Sequence, residues 1–142
     1  MNIERFTQKA QEALAGAQGL AARYNHQQIE PEHLLAHLLE QTDGLIPNLI
    51  EGMQIPPSGV RGKVEEHLRT IPQVSGAGSG QVYISQRTNR ILTTAEEEAK
   101  RFKDDYTSVE HLLLAMLDDP GPSGRILKDA GVTRDGLMKA LM

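Results

Sequence analysis

The stretch IEPEHLLAHLL at residues 29–39 returns as TSVEHLLLAML at residues 107–117, in register and 78 positions further on. Glu32, His33, Leu34, Leu35 and Leu39 recur as Glu110, His111, Leu112, Leu113 and Leu117. Upstream the match runs without a gap, from Leu14, Ala17, Ala21 and Arg23 to Leu92, Ala95, Ala99 and Arg101; downstream, Leu49 meets Leu127. Self-similarity at one spacing means one structural unit used twice, and apolar residues at three- and four-residue steps make that unit helical. Any surface feature of one half therefore has a candidate twin in the other.

A chain of 142 residues suits one compact domain, or two small halves sharing a core. Aromatic residues make up 4% and Trp is absent, so the core must come from Leu, Ile, Val, Ala and Met, which favours packed helices over a sheet sandwich. The lack of Cys excludes a disulfide framework, a thiolate metal site and a Cys nucleophile, and fits a reducing cytosol. A net charge of −4 argues against a nucleic-acid module, which would carry a basic face. The opening MNIERFTQKAQ lacks the basic and apolar regions of a signal peptide, and no apolar run approaches the length of a bilayer span. A soluble cytoplasmic domain is expected, with neither nucleic acid nor membrane as a partner.

The apolar spacing predicts a first helix from about Ile3 to Tyr24, with Ile3, Phe6, Ala10, Ala13, Leu14, Ala17 and Ala21 on one stripe. Its alanines allow a neighbouring helix to come close. Helix two begins at Glu30-Pro31, where a proline without an N–H suits the first turn. A short helix follows over roughly 46–51, and Val60, Val64 and Leu68 space a fourth after Pro56-Pro57. Residues 72–83, PQVSGAGSGQVY, read as a flexible internal linker, with 82–84 able to lie extended.

In the second half Ser85 caps a helix with Ile91, Leu92, Ala95, Ala99 and Phe102 on one face. Thr107-Ser108-Val109-Glu110 matches a capping box, with Thr107 as the cap and Glu110 three residues on. Ile126 and Leu127 open a short helix ending near Gly131, and Thr133 caps a last one carrying Leu137, Met138 and Leu141. The expected fold is all-α: eight helices in two pseudo-symmetric four-helix repeats, about 3–70 and 85–142, joined by a linker at about 71–84.

Catalytic signatures are wanting. The sequence shows neither a nucleophile with a base nor a functional carboxylate pair, and it has no Walker A phosphate cradle. His33 and His37 stand four apart, a spacing that can put two imidazoles on one metal. However, the twin of His37 is Ala115 and no Glu follows His33, so no metal site is expected and both motif histidines read as hydrogen-bonded helix-start residues. Glu32 and Glu110 have two readings. One is capping and dipole stabilisation of a helix start; the other is a carboxylate at a groove mouth, holding a cationic or amide group of a bound peptide. Glu96-Glu97-Glu98 reads as a solvated helix face, with Glu96 and Glu97 able to meet Lys100 and Arg101.

FTQKAQEAL at 6–14, IEPEHLL at 29–35, TSVEHLLLAML at 107–117 and ILKDAGV at 126–132 resemble the amino-terminal domain of Clp-type AAA+ unfoldases. The resemblance covers essentially the whole chain, and LRTIPQVSGAGSGQVYISQRTNRIL at 68–92 looks most like the ClpB disaggregase branch. It implies an eight-helix bundle that is itself non-catalytic and is tethered to downstream ATPase modules, which would hold the ATP and Mg. The parent would be a homohexamer working with an Hsp70-type chaperone system, the isolated domain a monomer, and its role the weak capture of unfolded or aggregated polypeptide. By the same resemblance the substrate patch falls on Thr7, Asp104 and Glu110, with Glu32 as a possible pseudo-symmetric second site. Thr94, Glu98 and His111 stand where relatives carry apolar residues, which implies a less apolar groove. The alternative implied function is an adaptor- or substrate-docking domain of a Clp protease ATPase, which would hold a folded partner tightly; a pull-down with folded adaptor against denatured protein separates the two.

Overall fold

The structure is a computed structural model, and it describes residues 3–41, 44–74 and 82–142. Thr7 and Ser85, twins in the repeat, each cap a long helix: the Thr7 hydroxyl accepts from the Ala10 N–H and the Ser85 hydroxyl from the Thr88 N–H. These helices are α1 (Gln8–Arg23) and α5 (Gln86–Arg101). Each is followed by three shorter ones: α2 (Pro31–Glu40), α3 (Leu45–Gly52) and α4 (Pro57–Leu68) in the first half, and α6 (Val109–Leu117), α7 (Pro122–Asp129) and α8 (Arg134–Leu141) in the second. The fold is all-α, as the repeat implies.

The motif helices α2 and α6 form the centre. Eight of the ten residues of α2 and eight of the nine of α6 are buried, as expected for helices that are apolar all round. Leu34, Leu35 and Leu38, with Leu112, Leu113 and Leu114, are fully enclosed, each contributing about 2 kcal/mol by burial. Ala10, Ala13, Ala17 and Ala21 are also fully buried and bring α1 close to α2. A Cβ on Gly16 would stand 2.2 Å from the His37 ring, so a side chain there would have to displace that ring where the two helices touch. In the second half the sizes are exchanged: Thr94 replaces the glycine and Ala115 the histidine.

The halves clasp each other through the residues that precede the helices. β1 (Gln28–Ile29), before α2, pairs in parallel with β2 (Tyr83–Ile84), before α5, with Ile29 opposite Ile84. The twin of that pair is a parallel bridge between Phe6 and Thr107, which joins the start of α1 to the start of α6. Lys103 and Asn25, each two residues past the end of a long helix, both take left-handed φ, at 61° and 57°.

Five expectations are corrected. The first helix is not continuous from Ile3: a 3-10 turn spans Ile3–Arg5, Phe6 is buried in the bridge to Thr107, and α1 starts after Thr7. The cap of α6 is Ser108, with His111 three residues on, because the Thr107 backbone is already bonded to Arg5 and Thr7. Helix α7 begins at Pro122, four residues before Ile126, since proline fits its first turn. Leu127 corresponds to Ile50, not Leu49: α6 is one residue shorter than α2, so beyond it the twins lie 77 apart. The matched bonds Ile55 N–H to Ile50 O (3.2 Å) and Val132 N–H to Leu127 O (2.9 Å) fix that register. Finally, Glu98 is not solvated; it is 2% exposed, on the same face as Ala95 and Ala99. The extended 83–84 segment is present as β2, whereas residues 75–81 of the expected linker lie outside the described residues.

Candidate functional site

The bridge between Phe6 and Thr107 brings Thr7 to the N-terminus of α6, where Glu110 and Asp104 also lie. The Thr7 N–H donates to the Thr107 carbonyl (2.9 Å) and the Thr107 N–H to the Arg5 carbonyl (2.8 Å). Thr7 is half-buried and its hydroxyl is engaged in capping α1. Glu110, half-buried in the first turn of α6, accepts the Ser108 hydroxyl on one oxygen. Asp104 has a half-exposed side chain whose Oδ2 lies 2.9 Å from His111 Nε2. The Ser108 N–H donates to His111 Nδ1 (2.8 Å), so the neutral ring carries its proton on Nε2 and donates it to Asp104. Tyr106, two residues after Asp104, is exposed, and the Arg5 guanidinium lies 5.7 Å from its ring centre; Ile3, in the 3-10 turn before the bridge, is exposed as well. The three expected residues therefore share one surface junction, in which neither Asp104 nor Glu110 has a Lys or Arg partner among the described residues.

The twin junction, at the start of α2, is closed. Glu32 is wholly buried, so it is not the surface acid that a second site requires. Arg87, from the first turn of α5, donates to both Glu32 oxygens, at 2.9 and 3.4 Å. The Ser123 N–H, near the start of α7, donates to Glu32 Oε2 (2.8 Å). Arg87 also reaches Asp119 (2.7 Å), which accepts the Ser123 hydroxyl (2.7 Å). Burial alone would raise the Asp119 carboxyl, but the bonds from Arg87 and Ser123 outweigh it and hold the group below the ordinary range. Burial likewise disfavours charged Arg87, and its two carboxylates more than compensate. A Cβ on Gly121 would stand 2.4 Å from the Arg87 guanidinium, so a side chain there would push Arg87 off its carboxylates. The residue equivalent to Arg87 in the open junction is Lys9, which turns to Glu12 on its own helix (3.8 Å).

The two motif histidines repeat the contrast. His33, like His111, accepts a backbone N–H on Nδ1, here from Glu30 (2.8 Å). Its Nε2 then donates to His26 Nδ1 (2.7 Å), and His26 is the twin of Asp104. Both rings are buried, and His26 stacks on Tyr24. Burial, with His26 and His67 nearby, pulls the His33 pKa down to about 4. His26 is also lowered by burial, against the raising influence of Ile71 and Glu30. With both nitrogens engaged, His33 is not available to share a metal with His37, and no group of three potential ligands occurs among the described residues.

Sequence reasoning missed Arg87, Asp119, Ser123 and the pair formed by Glu98 with Arg134. Arg134 donates to both Glu98 oxygens (2.9 and 3.0 Å), and its bonds hold that carboxyl low against burial. The signal for Glu98 was present, since it falls on the apolar stripe of α5 at the position Leu20 occupies in α1. The groove position expected to be less apolar is thus closed by an internal ion pair.

Comparisons with known proteins agree with this architecture. Residues 5–130 match the model of the Clp repeat (R) N-terminal domain. The chain is 38% identical to the chaperone protein ClpB of Nitratidesulfovibrio vulgaris and 39% identical to that of Clostridium perfringens, over 99% of its own length in each case and 17% of theirs. It therefore spans about one sixth of these relatives. The crystal structure of the Hsp104 N-terminal domain from Candida albicans superimposes with a TM-score of 0.82 at 26% identity, over 95% of this chain and 87% of that one. The N-terminal domain of the ClpV1 ATPase of Escherichia coli gives 0.75 at 25% identity, over 99% and 78%. A doubled four-helix unit, clasped through its two helix-start junctions and matched along nearly all its length, places the chain in the Clp repeat N-terminal domain family.

Proposed function

We propose that this domain recruits unfolded or aggregated polypeptide for an ATP-dependent disaggregase and passes it to the AAA+ ring. The observation that carries the reading is the open junction: Thr7, Asp104 and Glu110 are drawn together by the Phe6–Thr107 bridge, with two acids that have no Lys or Arg partner among the described residues, an exposed Tyr106 two residues after Asp104, and an exposed Ile3 in the turn before the bridge. Apolar side chains of a loose segment rest on Tyr106 and Ile3, while its amide or cationic groups meet Asp104 and Glu110. So shallow a patch binds weakly, because capture must offset lost chain freedom. Several tethered copies on a homohexamer raise the local concentration of sites and turn weak capture into useful avidity. In this reading the domain performs no chemistry. ATP and Mg belong to the ring modules, the isolated domain is a monomer, and the whole protein works in the cytoplasm with an Hsp70-type system.

The test is binding of a permanently unfolded model protein by this chain. Glu110→Ala and Thr7→Ala are expected to weaken capture. Thr7→Ser, which keeps the cap of α1, separates the surface role from loss of helix stability. Unchanged binding in both alanine variants, with helical content intact, would remove the patch assignment.

A further inference from the structure

The repeat supplies an internal comparison at another place. Helix α3 packs on α8, and α7 packs on α4; the two contacts are twins. In the first, Met53, which ends α3, has its sulfur 3.3 Å from where a Cβ would stand on Gly136, the third residue of α8. In the second, the residue ending α7 is Ala130 and the third residue of α4 is Gly59, whose Cβ position meets only Pro56, at 3.6 Å. Ala130 lacks the thioether arm of its twin, and an open groove of about 450 Å³ stands there, floored by Ile55, Val60 and Ile126. Glycine within a helix weakens it, and Gly59, unlike Gly131, does not take a positive φ.

The rim adds charge. Lys63, Arg125 and Lys128 border the groove and its continuation and form no ion pair among the described residues; of the acids there Asp119 is taken by Arg87, which leaves Glu66 and Asp129 against three cations, in a chain whose net charge is −4. We propose that the α4–α7 groove is a socket for one methionine- or leucine-sized side chain of a partner polypeptide, held as Met53 is held on Gly136, with acidic residues of that polypeptide against Lys63 and Arg125. The socket lies on helices that carry none of Thr7, Asp104 and Glu110, so it stands independently of the recruiting reading.

The probe is a short acidic peptide with one central methionine, titrated into the isotopically labelled chain and followed by amide NMR, beside the same peptide with serine at that position. The methionine peptide is expected to shift Gly59, Ile126 and Ala130, and the serine peptide to leave them in place. Ala130→Met refills the socket from within and is expected to weaken binding about tenfold, the order of one buried side chain. Gly59→Leu, which blocks it from the other wall, decides the matter if Ala130→Met alters the fold. Lys63→Glu combined with Arg125→Glu is expected to weaken binding and flatten its dependence on salt. Glu110→Ala should leave it unchanged, which distinguishes this site from the recruiting patch. Equal shifts with the serine peptide, or shifts confined to the Glu110 junction, would overturn the proposal. So would full binding by both blocked variants, or self-association of the chain that Ala130→Met abolishes without any peptide effect.

Discussion

Glu32 and Glu110 are the same residue at the same position of the same motif, yet one is entombed and the other half-exposed. The difference is made by their neighbours. Arg87 crosses from α5 onto Glu32, and Gly121 gives it room. Its twin Lys9 turns away to Glu12. His33 donates to a buried histidine, His111 to a half-exposed aspartate. Backbone pairing joins the halves at both junctions, but in one the motif acid is sealed under an ion pair and in the other it stays at the surface.

The largest effect should come from the closed junction. Glu32→Ala takes their buried acceptor from both Arg87 and the Ser123 N–H and leaves Arg87 to Asp119 alone, a loss of about 3 kcal/mol, at the low end for breaking a buried pair. Urea unfolding should show it as a large drop in midpoint with an unchanged slope. Glu110→Ala should lower the unfolding free energy by less than about 1 kcal/mol, since a first-turn acid contributes only that much. Equal losses in the two variants would erase the distinction between the junctions.

Acid should act on the same half. His33 titrates near 6.5 when unfolded and at about 4 when folded, so the unfolded chain takes up its proton first. The contribution is fully present above pH 6.5 and is lost as pH falls towards 4, on the order of 3 kcal/mol for that shift. Among the described residues the titratable groups that act on His33 are His26 and His67, and the Glu30 N–H holds its Nδ1. His33→Gln should flatten the dependence of stability on pH between 6.5 and 4, as measured by unfolding at stepped pH. A curve as steep as that of the parent chain would refute the assignment.

A smaller change is expected at the start of α1. Thr7→Ala removes a cap worth about 1 kcal/mol, whereas Thr7→Ser should stay within a few tenths. Thermal unfolding followed by circular dichroism checks both. If serine and alanine behave alike, the Thr7 hydroxyl does not cap α1.

Much of this architecture is legible in the letters, because helices follow from local spacing. The repeat, the alanine stripe of α1, the leucines of α2 and α6, and the caps Ser85 and Thr133 need only neighbours three or four residues away. What escapes is what depends on distant partners. The fate of Glu32 is decided 55 residues away at Arg87 and 91 away at Ser123. Glu98 reads as solvent-facing until Arg134, 36 residues on, is placed over it. The shift of the α6 cap by one residue has the same origin, since Thr107 is taken by the strand bridge to Phe6. The exchange of Lys9 for Arg87 at matched positions was visible as a difference between the halves, but its meaning required the structure.

The central claim is that these twin junctions have parted in role. Amide NMR of the labelled chain, titrated with an unfolded model protein, tests it most directly. The account predicts shifts at Thr7 and at Asp104, Tyr106 and Glu110, with the Glu30–Glu32 segment and Ser85 unmoved. Shifts centred on Glu32 and Arg87, or spread equally over both junctions, would contradict it.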